Sequence, residues 1–364
     1  MITKSFFVLL TVVLLSGCSS LEFKSKTIVI PETEAVPELA HSNGEFEVNK
    51  IYRMFEDEER SMQIFGWTDD EHLIGKIMSI DMGQTMRKID YRKQTSETVT
   101  SLNINAEPSQ LSPDRRYISL YAWDEHEGKT TKLYDLKNDD TTTIVDNNFP
   151  SSGMIMWSNN SRYVAFFLWD DQWREEKLHI YDVTTKKLKQ VEMPLSEEKS
   201  WVRYAKMSDD GQTVLIVYNQ SVLFGKLEGN QLVKIYEHKL SNDGAVDYLN
   251  NDQIMFVSEN NLLFVFDRRN KATSILSEQI GAFRLTADRK YIAYSKDAQN
   301  TYVAKLQGNN LLNEQEVFKG MNPAQLEWNP SGKKLYVNGW KSFDAQRKSK
   351  TSVLNAMQYI IEFK

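Results

Sequence analysis

Residues whose types could do chemistry fall into two sets in this 364-residue chain. In the first, tryptophan sits beside acids or another aromatic: Trp123-Asp124-Glu125-His126, Trp169-Asp170-Asp171-Gln172-Trp173 and Trp340-Lys341-Ser342-Phe343, with Trp201 between the last two. A rim of such residues offers large, rigid, amphipathic contact to a protein, peptide or glycan. The same tryptophans could instead pack inside the protein, leaving the acids as solvated turns. The second set is Asp247 and Glu327, with Arg203 and Arg284, all in runs that read as strands. Two carboxylates near each other, with arginines to stabilise developing charge, would suit a carbohydrate lyase, glycosidase or lactonase. Charged strand residues also simply bind one another or water.

Other chemistries find no support. G-x-S-x-G, H-E-x-x-H, C-x-x-C, the phosphate loop G-x-x-x-x-G-K-[ST] and the EF-hand loop do not occur. His41, His72, His126, His179 and His238 are scattered without usual ligand spacing, so no metal site and no cofactor are expected. The formal net charge of −6 argues against a nucleic-acid partner. With 41% hydrophobic and 26% charged residues, the composition is that of an ordinary globular protein.

The elements that would position these residues repeat along the chain. A hydrophobic residue, a short polar turn and a β-run recur at Trp67, Leu111, Trp157, Met207, Leu249, Leu285 and Trp328, with a mean spacing of 43.5 residues. Asp, Asn, Ser, Pro and Gly in the turns supply local hydrogen bonds and unusual φ values. Asp69, Asp70, Asp114, Asp209, Asp210, Asp252 and Asp288 all recur at this position, so they read as turn formers that do not converge on one site. The runs that follow are rich in Tyr, Ile, Val and Phe, and several, such as residues 163–169, are apolar on both faces. That pattern fits a strand in a sheet covered on both sides. Third and fourth runs follow in most units, and four strands in about 44 residues is the size of a propeller blade.

The expected fold is therefore all-β: a β-propeller of four-stranded antiparallel blades over residues 46–364, with seven blades and six as the alternative. The final unit ends in a third run at residues 353–363, while residues 47–55 precede the first blade without one of their own. The N-terminal run is expected to supply the missing outer strand and so leave no open edge. In this geometry the Trp clusters, which follow second strands, share a face opposite the acidic turns.

SPDRRYISLY, SDDGQTVLIV and NPSGKKLYV resemble the S-P-D-G-x-x-I-A-F core of the WD40-like, TolB-type propeller family, over residues 45–364. The turn glycine is missing at Arg115, Ser161 and Arg289, and the fifth unit lacks the serine. The resemblance implies a propeller and a partner in an envelope complex; its motif residues build turns and do not specify a function.

The N-terminus reads as an address. Lys4 is the only charge in the first 21 residues, and residues 6–15 are an apolar run broken only by Thr11. That is short for a spanning helix and right for a signal peptide. Leu15-Ser16-Gly17-Cys18 resembles the lipobox of bacterial lipoproteins, which implies cleavage before Cys18 and a diacylglycerol on its thiol. Residues 1–17 would be the signal peptide and residues 18–45 a lipidated cysteine with a flexible tether, whose ~27 residues span roughly 25–30 Å. Cys18 is the only cysteine, so the core must hold the fold without a disulfide. The expectation is a monomeric, extracytoplasmic protein, anchored to the cell membrane or to an outer membrane. It would act as a non-catalytic binding or scaffold module toward an envelope protein, peptide or glycan. The alternative is a propeller-type carbohydrate-active enzyme working in the central channel.

Overall fold

In the computed structural model the described residues are 45–54, 60–79, 83–100, 106–124, 128–146, 149–150, 153–169, 176–193, 201–241, 244–296, 299–340 and 356–364. They contain strands and no helix. The strands form seven antiparallel sheets arranged as a seven-bladed β-propeller. Each blade has strands A to D from the channel outward, and blade 4 is typical: Val202–Met207, Thr213–Tyr218, Ser221–Glu228 and Gln231–Lys239. Blade 3 departs from the pattern, because its strand A is split into Phe149–Pro150 and Met156–Trp157. The lipobox, Cys18 and the tether lie outside the described residues.

The repeated turn closes by one set of bonds. In blade 2, Ser112 Oγ donates to Asp114 Oδ1 (2.5 Å) and accepts from Tyr117 N (2.9 Å). Ser158 does the same with Asn160 and Tyr163, and Ser208 with Asp210 and Thr213. Thr286 repeats it with Asp288 and Tyr291. These small hydroxyls are buried, so the hydrogen bonds satisfy groups that water does not reach. The acidic turn residues thus form turns as expected. Some also tie neighbouring blades together: Asp70 Oδ1 accepts from Asn329 Nδ2 (2.8 Å) and Ser331 N (2.9 Å), and Asp209 Oδ1 accepts from Asn160 N (2.7 Å).

The core is divided among the interfaces between blades. Each apolar cluster joins two neighbouring blades, for example Leu215, Val217 and Phe224 of blade 4 with Val246, Tyr248 and Phe256 of blade 5. The last interface closes the ring: Trp67, Leu73 and Tyr91 of blade 1 pack with Tyr336 and Ile360 of blade 7. This explains why second strands are apolar on both faces, since Thr213–Tyr218 is buried at every residue. Trp67 and Trp328, which open their repeat units, are packing residues; their indole N–H groups donate to Glu327 O (3.0 Å) and Arg284 O (3.1 Å) of the preceding blade.

Closure follows the expected route. Val48–Arg53 pairs antiparallel with Ala356–Phe363, placing Ile51 opposite Ile361, and becomes the outermost strand of blade 7. The strand itself is largely exposed, but it is pinned at both ends by buried side chains, Phe46 at 3% exposure and Met54 at 2%. Phe46 meets Tyr291 and Phe363 edge-on, with ring centroids 5.0 and 5.6 Å away.

Candidate functional site

All seven blades contribute to a central cavity of about 130 Å³ on the side of the A–B turns. One residue per blade, near the end of strand A, faces it: Gly66, Gln110, Met156, Lys206, Asp247, Arg284 and Glu327. In six blades this is the residue just before the hydrophobic residue that opens the repeat unit. In blade 5 a register shift between Tyr248 and Asn250 moves the position back to Asp247. Blades 4 to 7 therefore present charges of alternating sign, and blades 1 to 3 present none.

The carboxylates in this ring are engaged. Asp247 accepts from Lys206 Nζ (2.5 Å), Arg289 Nη1 (3.2 Å) and Tyr248 N (2.8 Å). Burial alone would raise its pKa, but Lys206, Arg289 and Arg284 outweigh this and hold the carboxyl well below its usual range. Glu327 pairs with Arg284 at 2.9 Å. Here burial dominates and pushes the carboxyl up despite Arg284. The Glu327 charge in turn raises the pKa of the Arg284 guanidinium. Arg284 is deep in the ring, yet 43% of its side chain is accessible because it faces the open channel.

Of the charged residues singled out in the sequence, Asp247, Glu327 and Arg284 reach this cavity and Arg203 does not. Arg203 donates to Gly244 O (3.3 Å) and lies 5.8 Å over the ring of Tyr204. Its place is taken by Lys206 on the same strand and by Arg115 and Arg289 from the turns, none of which the sequence reading selected. Lys206 could have been found by its register, because it precedes Met207 as Glu327 precedes Trp328 and Arg284 precedes Leu285.

The opposite face carries the aromatic rim. Trp201 is 66% exposed, Trp123 59% and Trp340 37%, and Met154 on the same face is 43% exposed. Trp123, Met154 and Trp201 belong to consecutive blades, 2, 3 and 4, joined beneath by Tyr121 Oη donating to Gly153 O (3.0 Å) and Met154 N donating to Arg203 O (2.9 Å). The Lys129 ammonium lies 5.2 Å from the Trp123 ring centre. Trp169 is half-buried, and Trp340 lies in blade 7, separated from the others by blade 1. His126, Asp170 and Trp173 lie outside the described residues, as does the side chain of Asp124. Other exposed apolar side chains, such as Ile275 and Val233, belong to outer strands of different blades.

The fold and the two faces define a seven-bladed β-propeller. No family model matches the chain, and no curated protein matches it in sequence. Among solved structures it is similar to an oligogalacturonate lyase in complex with manganese, with TM-score 0.59 and 11% identity over 88% of this chain and 95% of that one. It is also similar to the oligogalacturonate lyase of Vibrio parahaemolyticus, with TM-score 0.51 and 10% identity over 88% and 98% of the two chains. At such identity the likeness establishes the propeller fold and nothing about chemistry. A manganese site does not fit the described residues: they contain no group of three or more His, Cys, Asp or Glu side chains that could hold a metal, and among the charged residues of the channel lining cations outnumber carboxylates.

Proposed function

We propose that this chain is a lipid-anchored, extracytoplasmic propeller that serves the cell envelope as a non-catalytic binding module. Its binding face is the aromatic rim of Trp123, Met154 and Trp201. The observation that carries this reading is that three exposed apolar side chains stand on the same face at three consecutive blades. Exposed apolar side chains gathered in this way favour an interaction surface. The engaged state of Asp247 and Glu327 speaks against their use as a free acid–base pair. The lipobox-like Leu15-Ser16-Gly17-Cys18 supports delivery and anchoring through a diacylglycerol on Cys18, with a monomeric body facing an envelope protein, peptide or glycan. The TolB-type resemblance supports the same setting.

The test uses the full chain in cells, with a photo-crosslinking amino acid at Trp123 or Trp201. A discrete envelope adduct is expected at both positions, absent when the probe stands at the exposed outer-strand residue Ile275. Metabolic labelling with a fatty acid should mark the chain and be abolished by Cys18→Ala. No adduct at either rim position would remove the binding reading, and an unlabelled wild-type chain would remove the anchor.

The neighbours' lyase activity gives a second reading, β-elimination on an acidic sugar in the channel. One observation favours it: burial pulls the Lys206 ammonium below its usual range, with Asp247 opposing, as a proton-abstracting lysine would require. Appearance of an unsaturated uronate product on incubation with oligogalacturonate, abolished by Lys206→Met, would establish it.

A further inference from the structure

The turns that close the A–B hairpins need one residue in the left-handed region. Blades 4 and 7 use Gly211 (φ 72°) and Gly332 (φ 70°). Blades 2, 3 and 6 place Arg115 (φ 65°), Ser161 (φ 61°) and Arg289 (φ 61°) at the same turn position. A long side chain there is less at ease than glycine would be. Both arginines line the central cavity, and Ser161 does not.

The charge balance of that cavity points the same way. Its ionisable lining is Arg115, Lys206, Arg284 and Arg289 against Asp247 and Glu327, two more cations than carboxylates in a protein of net charge −6. Asp247 is shared by Lys206 and Arg289, and Glu327 is taken by Arg284. Arg115 donates to Pro113 O (3.0 Å), and among the described residues it makes no ion pair. Burial draws its guanidinium pKa down, opposed by the more distant charges of Asp70, Asp114 and Glu327. A half-buried cation without an ion-pair partner is costly, and a bound anion offsets that cost. Blade 1 contributes Gly66 to the ring, flanked by the aromatic side chains of Phe65 and Trp67, and Gln110 of blade 2 offers a neutral amide. At about 130 Å³ the space suits a small charged group and is well below the volume of a pocket that encloses a whole drug-sized ligand.

We propose that the A–B-turn mouth of the channel is a binding site for a small oxyanion, the carboxylate or phosphoryl group of a ligand, gripped by Arg115 and Arg284. Planar guanidinium forks match such groups in two-pronged fashion. The site lies on the face opposite the aromatic rim and stands independently of the binding-module reading.

Trp67, Trp157 and Trp328 line the cavity, so intrinsic fluorescence reports its occupancy. The full chain in detergent is titrated with inorganic phosphate and, separately, with acetate, against sodium chloride at matched ionic strength. A saturable change with either oxyanion, beyond the chloride response, is expected, together with a rise in the unfolding midpoint. Arg115→Gly should weaken binding by about tenfold to a hundredfold, the loss of one charge-assisted contact. The same variant should leave the ligand-free protein no less stable, because glycine is at ease at this φ. Arg115→Lys should fall between the two, and Ile275→Ala on an outer strand should bind as wild type does. Equal responses to phosphate, acetate and chloride would overturn the proposal. So would an Arg115→Gly protein that binds unchanged, or one whose ligand-free fold is weakened, which would make Arg115 a packing residue.

Discussion

Phe46→Ala tests how the ring is locked. Phe46 precedes the closing strand and is 3% exposed, seated among Tyr291, Trp328 and Phe363 at centroid distances of 5.0, 6.2 and 5.6 Å. Truncating a fully buried phenylalanine removes about 3–5 kcal/mol. Part of that is the edge-on ring contacts, each about 0.5–1.5 kcal/mol beyond simple burial. Met54, at the other end of the strand, is 2% exposed, and its truncation should remove about 2–4 kcal/mol. Ile51, in the middle, is 43% exposed, so Ile51→Ala should change stability by no more than about 0.5 kcal/mol. The reasoning is that the strand is held at its ends and that its middle only completes a hydrogen-bond ladder. The assay is urea unfolding followed by tryptophan fluorescence, reading midpoint shifts at constant m. Removing residues 1–44 should leave the midpoint in place, and extending the deletion through residue 54 should collapse the ring. A loss under about 1 kcal/mol for Phe46→Ala, or equal losses for Phe46→Ala and Ile51→Ala, would refute the two-anchor picture.

Three further outcomes are expected. Asp247→Asn strands the buried Lys206 ammonium and should lower stability by about 3–5 kcal/mol in the same unfolding assay. The two channel carboxylates should also titrate with opposite sign. The folded pKa of Asp247 is depressed, so its contribution is fully present above its unfolded value of about 4 and is lost as pH falls through the lower folded value. The folded pKa of Glu327 is raised, so holding it ionised works against the fold at neutral pH, and its contribution improves as pH falls toward the unfolded value. Urea midpoints between pH 3 and 7 should therefore fall less steeply with acid in Asp247→Asn and more steeply in Glu327→Gln than in wild type; slopes unchanged in both would show that neither carboxylate is perturbed. Trp123→Ala and Trp201→Ala, at exposed positions, should shift the unfolding midpoint by no more than about 0.5 kcal/mol each while abolishing crosslinking to the partner; a large stability loss would make them packing residues.

The ring was legible because the turn chemistry repeats. Ser112, Ser158, Ser208 and Thr286 each close a hairpin through the same pair of hydrogen bonds, so their spacing marks the blades. The closing strand was legible because the last unit lacks a fourth run. The split strand A of blade 3 was not, since Phe149–Pro150 and Met156–Trp157 are too short to show a period. At the channel, Asp247, Glu327 and Arg284 stand out in the sequence as charges within strands, and Arg203 stands out equally. Only the hydrogen-bond register separates them: a bulge between Val202 and Tyr204 resets the strand, and Arg203 is left over Tyr204 while Lys206 lines the cavity.

Arg115 and Arg289 were hidden for a different reason. Their positions read as departures from the turn glycine, and a departure by itself says only that the turn is less comfortable. The backbone conformation gives it meaning, because a positive φ is retained although the residue that favours it is absent. The turn can absorb this because its hydroxyl and acid bonds, at Ser112 with Asp114 and Thr286 with Asp288, fix the loop without the glycine. Folding and channel chemistry are thereby assigned to different residues of one motif. The buried hydroxyl and its acid partner define the blade, while the left-handed position and the residue before the opener are free to carry charge. The uneven result is a feature that seven equivalent blades would not produce by packing alone: the residue before the opener, or Asp247 in blade 5, is charged in blades 4 to 7 and neutral in blades 1 to 3, and the left-handed turn position is cationic in blades 2 and 6.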